Sequence, residues 1–212
     1  MNSEEMNLAI CNALADLSTY ADELGNLDAA LGDGDLGVTV SLGAESIINS
    51  LASLSRDATP SEIIQVCAKS FAEANPSTLA ALVAGALLAG AQIWVGKTEI
   101  TVSDVAVFTS AAGDSIAKRG RSKIGDKTIL DAVLPAAKAF ADTTNPDYAL
   151  NAAIAAAEKA VVETTSMQSS RGRASWLQHR SIGLQDPGAT AFWYLLRSWQ
   201  QSNNPNAIYV GK

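Results

Sequence analysis

The stretch from Glu4 to Leu24, EEMNLAICNALADLSTYADEL, carries the pattern that decides the fold. Its apolar residues recur every three or four positions, at Met6, Ile10, Leu14, Leu17, Ala21 and Leu24. This spacing places them on one face of an α-helix. Residues 63–71 and 129–140 repeat the spacing, and we find no convincing run of the period-two alternation that marks a strand. The sequence therefore predicts an all-α protein.

Capping residues mark where the helices begin and end. Thr59-Pro60-Ser61-Glu62 combines an N-cap, a Pro at the first helical position and a capping-box Glu, while Asn145-Pro146 and Asp186-Pro187 each pair an N-cap with a Pro. Gly25 and Gly96 lie where helices would stop. We predict about eight helices, over 4–24, 37–54, 61–74, 78–95, 102–118, 128–141, 147–166 and 187–200. They would form a single domain over residues 1–212, a bundle or ring of antiparallel helices.

Composition excludes several classes of protein. The net charge of −7 argues against a general nucleic-acid-binding surface. Cys11 and Cys67 are too few for a disulfide framework, and residues 1–20 lack the basic and apolar regions of a secretory signal, so we expect reduced thiols in a cytoplasmic protein. The apolar stretch 79–95 is at the short limit for crossing a membrane, and we expect a buried helix there instead.

The strongest local signal is an acidic motif, LDAALGDGDLG, at residues 27–37. Asp28, Asp33 and Asp35 lie so close in sequence that their charges repel unless a cation sits between them. Carboxylate oxygens suit Mg²⁺ or Ca²⁺, and the glycines allow the backbone to turn sharply. An EF-hand is excluded because its Glu would fall on Ala44. The motif predicts a metal site, with a solvated turn as the alternative.

Cations are concentrated in two loops of this acidic chain. More than half of the 15 Lys and Arg residues are Lys118, Arg119, Arg121, Lys123, Lys127, Arg171, Arg173 and Arg180. Glycines lie beside these charges, which favours close contact with phosphate over the alternative of solvated surface loops. Carboxylate-bound Mg²⁺ together with basic loops is what phosphoryl transfer requires. Neither a Walker-A sequence nor the protein-kinase pattern Gly-x-Gly-x-x-Gly-x-Val occurs.

Three blocks of the sequence carry a resemblance to a known family. They are LDAALGDGDLG at 27–37, GDKTILDAVLP at 125–135 and GRASWLQHRSIGLQDPGAT at 172–190. With these blocks the chain resembles the L subunit of bacterial dihydroxyacetone kinase, over nearly its whole length. The resemblance implies a barrel of eight antiparallel helices that binds ATP or ADP and two Mg²⁺ at one end.

The resemblance also implies site residues. Its metal ligands fall on Asp28, Asp33 and Asp35. Its nucleotide contacts fall on Leu36, Gly37, Val38, Thr39, Ser77, Thr78, Gly120, Ile129, Arg173, Asp186, Pro187 and Gly188. No residue of this chain is assigned as catalytic, because the sugar of such kinases is bound and activated on a separate K subunit. A phosphotransferase-system M subunit, or a transcriptional regulator, would be a further partner.

The sequence departs from the family pattern at three places. Leucines stand at Leu36 and Leu184 where the family has histidines, and a Gly-rich phosphate turn is replaced by residues 75–82. Such a change costs about 10- to 100-fold in affinity if it removes one hydrogen bond to a charged group. The changes therefore leave two alternatives open: a non-catalytic nucleotide sensor that docks on a partner, and a helical metal-binding module without nucleotide.

The remaining chemically interesting residues receive structural interpretations. His179 is expected at the surface or in loop packing, and Asp114 and Asp131 on helix faces without an assigned role. Trp176 lies in the long irregular segment 166–188, where it would either line the nucleotide pocket or pack the loop onto the barrel.

Overall fold

The computed structural model describes residues 1–203, which form nine α-helices and two 3-10 segments. The helices are α1 Ser3–Leu17, α2 Ala21–Leu31, α3 Leu36–Ala52, α4 Pro60–Ala74, α5 Thr78–Ile93, α6 Val102–Gly120, α7 Leu130–Ala141, α8 Pro146–Thr164 and α9 Pro187–Asn203. The 3-10 segments are Ser18–Tyr20 and Arg173–Ser181. Within these residues the one strand-like pairing is an isolated bridge between Asn2 and Glu99. The predicted all-α class is confirmed.

The helices form a closed ring. From α3 to α9 each helix packs against the next, and α9 returns to pack against α1, which also contacts α3. Helix α2 continues the chain beyond α1 and packs against α3. Short connections join most neighbours, so consecutive helices run antiparallel. The predicted ring of antiparallel helices is therefore observed.

Small side chains allow the helices of the ring to approach closely. At the junction of α7 and α8, Ala132, Ala136, Ala153 and Ala157 are fully buried. At the end of the ring where α1 begins, Met6 packs in an apolar cluster with residues of α3, α4 and α5. Among the described residues, no helix is both long and apolar enough to cross a membrane.

The first predicted helix is wrong in its extent. The helix breaks at Ser18–Tyr20 and resumes, so that Gly25 lies inside α2 and the helix ends at Leu31 instead. The break coincides with Ser18 and Thr19, whose hydroxyls donate to the carbonyls of the preceding turn at 2.9 and 2.7 Å. Hydroxyl groups bound in this way bend helices. The acidic motif therefore begins inside a helix and not in a loop.

Most predicted helix starts are confirmed. Thr59 and Glu62 form the expected capping box at α4, and Thr101 forms another with Asp104 at α6. Asn145 accepts a hydrogen bond from the Tyr148 amide at the start of α8. Local capping chemistry thus determines where these helices begin.

We predict that Gly37→Ala destabilises the protein, because an added Cβ would lie 2.0 Å from the Ala21 carbonyl oxygen. The expected loss is about 1–3 kcal/mol in the free energy of unfolding, measured by urea denaturation. Gly25→Ala is the matched control. Its Cβ would meet nothing nearer than 3.7 Å, so helix propensity should stabilise the protein by about 0.5–1 kcal/mol. Equal effects of the two changes would contradict this packing.

Candidate functional site

One end of the ring collects the beginnings of four helices. Because neighbours alternate in direction, α3, α5, α7 and α9 all begin at the end where α2 terminates. The first amides of a helix have no partner within the helix, and its dipole favours anions there. Every site residue predicted from the sequence lies at this end, which we call the site end.

The acidic cluster lies at the site end. Asp28 belongs to the last turn of α2, while Asp33 and Asp35 lie in the short connection to α3. Each residue offers a carboxylate oxygen within 4.8 Å of the others. Oxygens bound to one Mg²⁺ at about 2.1 Å lie at most about 4.2 Å apart. The three side chains can therefore share a divalent cation once their oxygens move slightly closer together.

Two glycines make the acidic turn possible. A Cβ on Gly32 would lie 2.8 Å from Oδ1 of Asp28, and Gly34 has a φ of +77°, a conformation that other residues rarely adopt. The turn ends where the Leu36 amide donates to Oδ2 of Asp28 at 3.3 Å. The backbone itself thus brings the two parts of the cluster together.

The electrostatics of the cluster also favour a cation. Burial raises the pKa of the Asp35 carboxyl, and the charges of Asp33 and Asp28 raise it further, whereas Arg173 lowers it. Arg173 forms an ion pair with Asp33 that is partly open to solvent. The predicted nucleotide-binding Arg and the predicted metal ligands are therefore in direct contact.

The beginnings of α3 and α5 lie close to the cluster. Leu36 and Gly37 are buried at the start of α3, whereas Val38 is exposed. Thr39 is buried and its hydroxyl accepts a hydrogen bond from the Asn75 side chain at 2.8 Å. This bond joins the start of α3 to the segment that precedes α5.

The N-cap of α5 is Ser77. Its hydroxyl accepts a hydrogen bond from the Ala80 amide at 3.1 Å, and Thr78 next to it is exposed. The altered segment therefore still forms a capped helix start, although it lacks the glycines of the family pattern.

The beginnings of α7 and α9 touch each other. A Cβ on Gly188 would lie 3.3 Å from Cβ of Ile129 and 3.2 Å from Oδ2 of Asp186. Because Gly188, next to Pro187, has no side chain, the starts of α7 and α9 can approach each other closely. Gly120 ends α6, where an added Cβ would lie 3.7 Å from the Leu82 side chain of α5.

Asp186 is buried beneath the start of α9. Its Oδ2 accepts from the Ala189 amide at 2.7 Å, and its own amide donates to the Thr164 hydroxyl at 2.9 Å. Burial raises its pKa to about 6, despite the opposing hydrogen bond from Ala189. Asp186 thus serves as the predicted N-cap, which places it under the helix start.

The prediction that eight cations share one anion site is wrong for two of them. Lys127 is buried, and its ammonium group donates to backbone carbonyls within the protein. Arg171 is paired with Asp126 at 3.0 Å. The other predicted cations are exposed: Lys118, Arg119, Arg121, Lys123, Arg173 and Arg180.

Sequence reasoning missed the role of Asp131. This residue is 2% exposed, and its carboxylate accepts from the Gly125 and Thr128 amides at 2.6 and 2.7 Å. It thereby holds the turn that leads into α7. The spacing Thr128-x-x-Asp131 resembles a capping box and was the available signal.

Trp176 does not pack the loop onto the ring, because its side chain is 81% exposed. The alternative, that it lines the nucleotide pocket, stays a prediction. His179 is at the surface, as expected. Cys11 and Cys67 are free thiols, and only Cys67 is fully buried.

Comparison with known proteins gives a consistent result. Residues 30–201 match the family model described as the DAK2 domain. The chain is 28% identical over 184 residues to the PEP-dependent dihydroxyacetone kinase, ADP-binding subunit DhaL, of Escherichia coli, covering 85% of this chain and 87% of that one. The corresponding PTS-dependent subunit of Lactococcus lactis is 32% identical over 178 residues, covering 82% and 84%.

Longer kinases match over part of their length. The L-erythrulose 1-kinase of Mycolicibacterium smegmatis is 32% identical over 182 residues, covering 83% of this chain but 31% of that protein. The crystal structure of the dihydroxyacetone kinase of C. freundii in complex with AMP-PNP and Mg²⁺ matches with a TM-score of 0.71 at 22% identity, covering 92% of this chain and 33% of that one. At that identity the likeness establishes the fold.

We predict that Asp28→Asn, Asp33→Asn and Asp35→Asn each weaken Mg²⁺ or Mn²⁺ binding by about 10- to 100-fold, because each removes a charged ligand. Isothermal titration calorimetry measures the affinity, with the exposed Asp114→Asn as the control. The metal-free variants should unfold no more easily than the wild type, since each change relieves repulsion. Unchanged cation affinity in all three would refute the site.

We predict that Asp186 makes folding stability fall as pH rises from about 4 to 6. The folded pKa of about 6 exceeds the ordinary Asp value of 3.8, so the folded protein holds the extra proton in this window. Relative to Asp186→Asn, the wild type should lose about 3 kcal/mol of unfolding free energy between pH 4 and pH 7. Urea denaturation across this range tests it, and a pH-independent difference would contradict it.

Proposed function

Because this chain belongs to the DAK2 domain family, we propose that it binds ADP or ATP with two Mg²⁺ as the nucleotide-binding subunit of a kinase. The proposed acceptor is dihydroxyacetone or a related short ketose. The observation that carries the proposal is the position of the acidic cluster beside the helix starts of the site end. The ADP-binding subunits of two bacterial dihydroxyacetone kinases, which match most of this chain, support the choice of nucleotide.

The acidic cluster would hold the metal ions. Asp28, Asp33 and Asp35 offer one carboxylate oxygen each, fewer ligands than octahedral Mg²⁺ takes, which leaves coordination positions for phosphate oxygens. These residues would thereby hold Mg²⁺ beside the phosphates, where its charge would neutralise negative charge that develops during transfer. The crowded carboxylates would lose their mutual repulsion once the cations are bound.

The helix starts would hold the phosphates. The amides at Gly37 and Val38 of α3, at Thr78 of α5 and at Gly188 of α9 lie at the positive ends of their helices. When the carboxylates bind the metal ions, Arg173 would lose its ion pair with Asp33. Its guanidinium group would then pair with a phosphate instead. The exposed position of Arg173 permits that movement.

The sugar would be bound by a separate K-type subunit. The chain spans nearly the full length of the bacterial ADP-binding subunits but about a third of the longer kinases. The remaining length of those kinases is where we place the function of the K subunit. Residues 1–212 would form one nucleotide-binding domain, of which 204–212 lie outside the described residues. No residue of this chain is proposed as catalytic.

The second candidate function is a cytoplasmic nucleotide sensor that docks on a transcriptional regulator or kinase. The observation that favours it is the burial of Leu36, which packs with Leu24, Val40 and Tyr194. This leucine therefore presents no polar group to a phosphate, where the family has a histidine. If a phosphorylated M subunit transfers its phosphoryl group to ADP bound on this chain, the chain is a kinase subunit and not a sensor.

The first test is the nucleotide content of the purified full-length chain. We expect ADP to be released on denaturation, or Mg-ADP and Mg-ATP to bind in calorimetry, and Arg173→Ala to weaken that binding by about 10- to 100-fold. Lys138→Met, which removes an exposed cation on α7, should bind normally. A chain that binds neither nucleotide would refute both candidate functions and leave a metal-binding module.

Turnover then distinguishes the two candidates. The chain is mixed with a K-type subunit and dihydroxyacetone, and sugar phosphate is measured with ATP or with a phosphorylated M subunit as donor. Product formation supports the kinase subunit and identifies the donor. Nucleotide binding without product with either donor supports the sensor.

A further inference from the structure

Lys127 is the largest fully buried side chain of the described residues, at 1% exposure. It has a φ of +60°, in the left-handed region that a Lys adopts only when its surroundings demand it. Burial lowers its pKa, while the charge of Asp186 opposes that shift. A buried ammonium group needs its three protons satisfied, so its partners show what it does.

All three partners are backbone carbonyls of one segment. The ammonium nitrogen lies 3.1 Å from the carbonyl oxygen of Met167 and 2.5 Å from those of Ser181 and Leu184. Met167 and Leu184 lie on either side of the irregular loop 168–183 and Ser181 lies near its end, so one side chain joins the two ends of that loop. The loop contains Arg173, the residue in contact with the acidic cluster.

The loop has little else to hold its shape. Of residues 168–183 only Ser169 and Ser181 are buried. Gly172, Gln178 and Gly183 adopt positive φ angles, which makes three sharp changes of direction. Because the loop buries so few side chains, its conformation depends on hydrogen bonds at its ends.

Other contacts at the base of the loop attach one end or the other to the rest of the protein. The Ser170 amide donates to the Asp126 carbonyl at 3.1 Å, and Arg171 pairs with the Asp126 side chain. The Gly183 amide donates to the Thr165 carbonyl at 2.7 Å. Each of these contacts attaches one end of the loop. A further hydrogen bond joins both ends, from the Ser169 amide to the Ser181 hydroxyl at 2.9 Å, but it is a single bond, whereas the Lys127 ammonium group joins three carbonyls at one point.

We propose that Lys127 is a positioning residue for the nucleotide site: its ammonium group closes the base of loop 168–183 and thereby holds Arg173 at the acidic cluster. The inference rests on the proposed nucleotide-binding function. Lys127 itself contacts neither nucleotide nor metal in this proposal and acts through Arg173.

The test is a double-mutant cycle on Mg-ADP affinity, measured by calorimetry with Lys127→Met and Arg173→Ala. We expect Lys127→Met alone to weaken binding by about tenfold or more, and by less than about threefold when Arg173 is already Ala. Lys138→Met is the control for loss of a positive charge. Equal effects of Lys127→Met in both backgrounds, or none in either, would overturn the proposal.

A purely structural role predicts a different result for the metal. If Lys127→Met only destabilised the fold, binding of Mn²⁺ in the absence of nucleotide would weaken together with that of Mg-ADP. Loss of Arg173 positioning instead frees Asp33, so Mn²⁺ affinity should stay the same or rise. Weaker Mn²⁺ binding in the folded variant would overturn the proposal.

If Lys127→Met fails to fold by circular dichroism, Ser181→Ala and Arg171→Ala loosen the same loop base from more tolerant positions. Ser181→Ala removes the hydrogen bond from the Ser169 amide, and Arg171→Ala removes the pair with Asp126. Both should weaken Mg-ADP binding with Arg173 present and have little effect with Arg173→Ala. Additive effects would overturn the proposal, whereas a wild type that does not bind Mg-ADP would refute the proposed function itself.

Discussion

The alternating direction of neighbouring helices around a closed ring is the constraint on which the rest of the structure depends. From α3 to α9 consecutive helices pack against each other, and short connections between most of them force their antiparallel order. Closure of α9 onto α1 completes the ring. As a direct result, the beginnings of four helices and the end of α2 share one end of the molecule.

That end combines charges of both signs in a small space. The carboxylates of Asp28, Asp33 and Asp35 repel one another. Burial, and then this repulsion, raise the pKa of Asp35. The helix dipoles and Arg173 supply positive potential beside them. Such an arrangement suits a ligand that brings both cations and anionic groups, which a Mg-nucleotide does.

Buried charges support the site from beneath. Asp186 caps α9, Asp131 holds the turn before α7, and Lys127 joins the ends of the loop that contains Arg173. A buried charge is costly unless its hydrogen bonds are satisfied, so each of these residues fits one local arrangement of the backbone. We infer that rigidity at the base of the site is what allows an exposed Arg to be placed accurately.

The sequence by itself determined the all-α class, most helix starts and the acidic cluster. These follow from local rules: apolar spacing, capping side chains and carboxylates close together in the chain. The resemblance added the nucleotide residues, and all of them lie at the site end. Only the tertiary structure decided the path of α2 beyond Gly25, because helix continuation there depends on packing of Leu31 and on the approach of α3.

Tertiary structure also decided which cations are free. In the sequence Lys127 and Lys123 look alike, yet one is buried against three carbonyls from residues 40 to 57 positions away and the other is exposed. Sequence distance hides such contacts, because the partner groups are backbone carbonyls that every residue carries. The ligand-binding residues of the site could therefore be predicted from residue types. The buried residues that hold them in place could be identified only from the fold.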